Sequence, residues 1–208
     1  MERYIISAVL LFVITACNNS SEVKADNKTI SKAPVKNVSE RTSTYDTVYE
    51  NESVIVHCDT AIENLKILYT SLKFRPYISF DDFKVSNIDH SKKAPLNLHS
   101  HEYGRMFRTN LRNAYNDEEA NFAGHYTLAT WGCGSPCQMN LLVDRFTGKI
   151  YDAPTSSLGV AFNVNNAMLL VNPPDEKGFY DDCMYCIPEI YIFNEKTKRF
   201  TKKEPYVE

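Results

Sequence analysis

The sequence predicts an α+β fold: two N-terminal helices packed on a mainly antiparallel β-sheet. Three observations lead there. Two segments before residue 116 carry apolar residues at helical spacing. From Asn121 onward the apolar runs shorten and alternate with polar residues. Turn-forming residues separate those runs. An all-β sandwich or a barrel-like sheet is the alternative reading.

The first helix is expected over residues 61–73, where Ala61, Leu65, Leu68 and Leu72 share a face and Thr60 can cap it. Residues 74–99 read as irregular, with Pro76 and Pro95. The second helix follows Ser100, where Tyr103, Phe107, Leu111 and Ala114 line up. Strands are expected at 122–130, 138–143, 149–152, 159–163, 167–171, 189–193 and 199–202. Asp144–Gly148 places a glycine where a hairpin needs positive φ. Asn163–Asn166 and Asn194–Lys198 read as further turns.

The chain start reads differently. Ile5–Ala16 is apolar apart from Ser7 and Thr15, and too short to span a bilayer. It fits the apolar region of a secretory signal. Ile14-Thr15-Ala16-Cys17 resembles a bacterial lipobox. That resemblance implies cleavage before Cys17, a diacylglycerol on its thiol and an acylated new amino terminus. Several acyl chains anchor a protein stably at about 0.8 kcal/mol per buried CH₂. Residue 18 is Asn rather than Asp, which points to the outer membrane of the cell envelope. Three segments follow: a signal peptide (1–16), a lipidated flexible tether (17–50) rich in Ser, Thr and Asn, and one globular domain (51–208).

The formal net charge is −3, which argues against a nucleic-acid partner. Six cysteines less Cys17 leave five, in an oxidising compartment. Cys133 and Cys137 frame Gly-Ser-Pro, and Cys183 and Cys186 frame Met-Tyr. These four are the disulfide candidates. Cys58 is the candidate free thiol, although it could also pair with Cys183 or Cys186. A CxxC redox centre needs a lowered thiol pKa, and Asp181 and Asp182 would raise it. A zinc site built on both pairs would need four thiols free of disulfide.

The densest segment is Asn121–Gln138, NFAGHYTLATWGCGSPCQ, with the only Trp, three of the seven Gly and two Cys. Gly124 suggests a bulge or a close backbone approach. Alternation sets Phe122, Gly124, Tyr126, Leu128 and Thr130 on one face, with His125, Thr127, Ala129 and Trp131 on the other. HEYGRMFRTNLRNA, NFAGHYTLATWGCGSPC, LLVDRFTGKIYDAP and MLLVNPP together resemble a family of exported bacterial proteins of uncharacterised activity. The likeness covers roughly residues 95–175. A looser similarity is to periplasmic lysozyme inhibitors, which also present a disulfide-closed loop. Their loop carries a basic or histidine residue; Gly134-Ser135-Pro136 carries neither.

Candidate partner-binding residues are Trp131 and Ser135 at this loop, His125 on the strand, and a basic stripe of Arg105, Arg108 and Arg112. Ser135 lacks a nucleophile-elbow frame, and no HExxH, Walker loop or dinucleotide fingerprint occurs. No catalytic residue, metal or cofactor is therefore assigned. The expectation is a non-enzymatic envelope lipoprotein, bound to the bilayer through Cys17, that presents its loop to an envelope protein or a glycan. The competing expectation is an envelope enzyme that uses His125 with Cys133 or Cys137, or else a bound zinc.

Overall fold

A computed structural model describes residues 45–59, 67–91, 93–117 and 119–205. The fold is mostly β, with three antiparallel sheets. The first sheet joins β1 (Tyr45–Glu50), β2 (Val54–Asp59), β3 (Ile67–Lys73) and β9 (Phe179–Asp181) in the order β1-β2-β3-β9. The second is β4 (Tyr126–Gly134), β5 (Cys137–Asp144) and β6 (Ile150–Asp152). The third runs β11 (Arg199–Lys203), β10 (Glu189–Asn194), β8 (Met168–Val171) and β7 (Val160–Ala161). Among the described residues there is one α-helix, α1 (Arg108–Asp117), and one 3₁₀ turn at Phe80–Phe83.

The expected pair of N-terminal helices packed on a sheet is thus corrected. Residues 60–66 of the first lie outside the described residues. Ile67–Lys73 is a strand, paired with β2 on one side and β9 on the other. Its sequence, ILYTSLK, is rich in β-branched and aromatic residues. Leu68 and Leu72 are four apart, a spacing that fits one face of a strand as well as a helix. Leu68 is 62 % exposed, because the two flanking strands rather than a buried helix face hold the segment. The second helix is shorter than expected. Residues 102–107 form turns, and Gly104 sits where a side chain would strike the Leu98 carbonyl at 2.3 Å. Tyr45–Glu50, assigned from sequence to the end of the tether, pairs with β2 instead.

The middle sheet is buried on both faces, as the alternation in β4 requires. Tyr126, Leu128 and Leu142 pack with Phe122, Leu169, Val171 and Phe193 of the third sheet. Ala129, Leu141, Val143 and Ile150 pack with Leu111 and Tyr115 of α1. The third sheet is covered on its far side as well. There Met168, Leu170 and Ile190 meet Phe74, Tyr77, Phe80 and Phe83 from the irregular 74–83 segment. The layers therefore run α1, middle sheet, third sheet, then the 74–83 strap. Tyr77 fastens the strap by donating to the Lys203 carbonyl at 2.6 Å.

Two glycines are needed for this packing. Gly124 has φ +85°, and its backbone meets Asn87, where an added Cβ would lie 2.4 Å from the carbonyl oxygen. Gly148 has φ +72° in the β5–β6 turn, and a Cβ would lie 2.0 Å from the Pro95 oxygen. Gly148→Ala therefore combines left-handed strain with a backbone clash. We expect a loss of about 2 kcal/mol or more, a fall in Tm of roughly 4–8 °C. Gly132→Ala meets nothing within 4 Å and should stay within about 0.5 kcal/mol, so thermal denaturation of the pair checks the assignment.

Candidate functional site

The β4–β5 hairpin outgrows the core. Its base, Tyr126–Ala129, is buried, while Gly132–Pro136 at its tip is exposed. Cys133 and Cys137 form a disulfide across that tip, with Cα atoms 5.1 Å apart, and Ser135 stands exposed between them. Cys183 and Cys186 close a second small loop, also with Cα atoms 5.1 Å apart. Cys58 is the free cysteine among the described residues, buried in β2. Both local pairings and the unpaired Cys58 match the sequence candidates. Zinc bound by the four loop cysteines is incompatible with these bridges.

The two loops, separated by 46 residues from Cys137 to Cys183, line one cleft of about 310 Å³. Pro136 and Cys137 stand on one side; Met184, Tyr185 and Ile187 stand on the other. The ribbon Thr155–Ser157 and Asn172 lie between them. Met184 is 91 % exposed, with Tyr185 and Ile187 about half exposed, so the rim is apolar. Ser156 lines the cleft, and its Oγ is buried without a hydrogen-bond partner among the described residues.

Side-chain amides hold the ribbon in place. Gln138 and Ser156 exchange two backbone hydrogen bonds, at 2.7 and 2.9 Å. Asn140, fully buried in β5, donates from Nδ2 to the Pro154 carbonyl at 2.6 Å and accepts from Thr130 at 2.8 Å. These contacts tie the ribbon to the hairpin. Asn172 ties it to the other loop. Its Oδ1 accepts from the N–H groups of Ser157 (2.8 Å) and Leu158 (3.0 Å). Its Nδ2 donates to the carbonyls of Tyr185 (3.1 Å) and Ile187 (3.3 Å). All four places of a buried carboxamide are used. Asn172 has φ +50°, a conformation asparagine tolerates better than most residues.

No known protein-family model, curated protein or solved structure matches the chain.

Trp131 does not stand at the tip. It is half-buried on the α1 side of β4, its ring 5.2 Å from Phe107. Its indole Nε1 is buried with no partner among the described residues. Arg105, Arg108 and Arg112 are all exposed, and none of them lines the cleft. Arg105 precedes α1 and Arg108 opens it, so the three do not form one helical stripe. Cys17 lies outside the described residues.

His125 lies not on a strand, as expected, but in the turn just before β4, and the seven steps of strand from Tyr126 to Cys133 span roughly 23 Å at about 3.3 Å per residue. A His/Cys catalytic pair is thus not assembled. The imidazole is stacked on Phe146 at 4.0 Å with nearly parallel planes, and Tyr126 packs 4.2 Å away. Its Nε2 lies 3.8 Å from Asp144 and 3.9 Å from Glu195, beyond hydrogen-bond reach. Glu195 is engaged by the Tyr126 hydroxyl at 2.7 Å and by Lys198 at 2.5 Å. Burial raises the Tyr126 hydroxyl well above its usual range, and Glu195 adds to that. Burial also holds His125 below the ordinary imidazole value of 6.5, with Lys198 adding to that and Glu195, Asp144 and Asp89 opposing it.

That depression has a sign. The folded state resists a proton that the unfolded chain accepts near pH 6.5, so stability is present above that pH and is lost below it. We expect Tm to fall as pH drops from about 7.5 to 5.5, and His125→Gln to flatten that fall. Thermal melts of the two proteins across this range are the check. Equal slopes would remove His125 as the cause.

Proposed function

We propose that the protein is an envelope lipoprotein whose domain is a non-enzymatic binding module. In this reading acylated Cys17 anchors it, in the outer membrane. The two disulfide-closed loops act together as one docking surface for another envelope protein. The observation that carries the reading is the convergence of both loops on a single cleft with an exposed apolar rim. Met184, Tyr185 and Ile187 are costly to leave in water at a rigid site. A short disulfide loop loses little entropy on docking, which favours affinity at the tip. Tyr185 is the anchor in this reading, since tyrosine carries large contact area on few rotatable bonds.

The test is site-specific photo-crosslinking in intact cells, with the reactive group at Tyr185, at Ser135 and at Lys196 as a control on the β10–β11 turn. The expected result is one discrete adduct shared by positions 185 and 135 and absent at 196. Adducts at 185 and 135 that differ from each other, or that match the control, would refute a joint surface. The anchor is tested in the same cells: Cys17→Ser should move the protein from the membrane fraction to the soluble one.

A further inference from the structure

A second, larger cleft of about 1120 Å³ opens between β6 and β11, the edge strands of the middle and third sheets. It shares Thr155 and Glu189 with the disulfide-loop cleft, so the two are continuous. Its volume exceeds the roughly 300–1,000 Å³ typical of small-molecule sites, which suits a chain-like ligand.

Its two carboxylates are engaged. Glu189 holds Lys202 at 2.8 Å and accepts from the Tyr191 hydroxyl at 2.9 Å. Burial and this carboxylate push Tyr191 up to about 12, so its hydroxyl remains a donor. Asp152 lies at the mouth and accepts from His101 Nε2 at 2.9 Å. The tautomer follows from the other ring nitrogen, because His101 Nδ1 accepts the Tyr103 N–H at 3.2 Å. Both nitrogens are therefore occupied, and His101 has no lone pair left to act as a base.

The cations are less engaged. Lys198 is held by Glu195 at 2.5 Å. Lys149 and Arg199 line the cleft, are exposed, and have no side-chain partner among the described residues. Once the internal pairs are set aside, two free cations face the single hydrogen-bonded charge of Asp152. Tyr151, Tyr191 and Phe200 line the same cleft, half-buried and packed against the core beneath it.

We infer that this cleft binds an acidic polysaccharide segment, one whose sugar rings carry carboxylates. Such a chain has apolar C–H faces to lay on Tyr151, Tyr191 and Phe200. Its carboxylates meet Lys149 and Arg199, and Arg199 can engage one bidentately. An acidic peptide would satisfy the cations but offers no flat apolar faces to the rings. The inference does not depend on the protein partner proposed at the disulfide loops.

The experiment is calorimetric titration of the detergent-solubilised full-length protein with hexagalacturonate. Maltohexaose is the neutral comparator and hexaglutamate the acidic-peptide comparator. The expected result is binding of hexagalacturonate alone, weakened by salt and reduced tenfold or more in Lys149→Gln/Arg199→Gln. Both residues are exposed, so an unchanged Tm would show the double variant folds. Lys196→Gln, exposed on the β10–β11 turn and lining neither cleft, should leave the affinity unchanged. Absence of binding, or binding that the double variant does not weaken, would overturn the site. Hexaglutamate binding as tightly would overturn the glycan assignment in favour of an acidic peptide.

Discussion

One buried carboxamide organises the exposed end of this molecule. Asn172 follows directly on β8, so its backbone is anchored in the third sheet. Its side chain reaches both ways, accepting from the ribbon at Ser157 and Leu158 and donating to the loop at Tyr185 and Ile187. Neither of those segments belongs to a sheet at these positions. Without a partner their backbone groups would need water, and their mutual position would be unspecified. A buried amide that loses its partners costs about 1–3 kcal/mol, so the four bonds are costly to break singly.

The rest of the architecture serves that arrangement. The middle sheet is clamped between α1 and the third sheet, so β4 and β5 leave the core as a rigid pair. That rigidity carries the Cys133–Cys137 tip to a fixed place. The Gln138–Ser156 bridge and Asn140 then pass the position on to the ribbon, and Asn172 passes it to the second loop. The disulfides shape the loop ends only locally, since closing so few residues constrains the unfolded chain little. The placement of the loops comes from hydrogen bonds to buried amides.

Much of the β architecture was legible in the sequence. The later strands fell near their expected places because short apolar runs bounded by turn residues mark strands buried on both faces, as at Met168–Val171. Gly148 and Gly124 were legible because turns and close approaches need residues without a side chain. The expected helix fails over Ile67–Lys73, because Leu68 and Leu72 fit two periods and only pairing with β2 and β9 decides between them. The first sheet was missed on a separate ground: β1 is exposed from Asp46 to Glu50, Val48 and Tyr49 included, so no buried face marks it as a strand. At the site, the cysteines were legible from spacing, and the tip from its glycines. Trp131 was misplaced because being the only Trp says nothing about which side it packs on. Asn172, Ser156 and the cleft itself were invisible, since they arise from long-range hydrogen bonds between segments with no shared local pattern.

The central claim is that Asn172 couples the second disulfide loop to the ribbon. Asn172→Asp tests it most directly. The aspartate keeps the shape and the acceptor for Ser157 and Leu158 but cannot donate to Tyr185 and Ile187. Amide hydrogen exchange should then accelerate tenfold or more at Cys183 and Cys186, while β5 and the hairpin keep their protection. Unchanged exchange at those two amides would contradict the account, as would an equal loss of protection throughout β4 and β5.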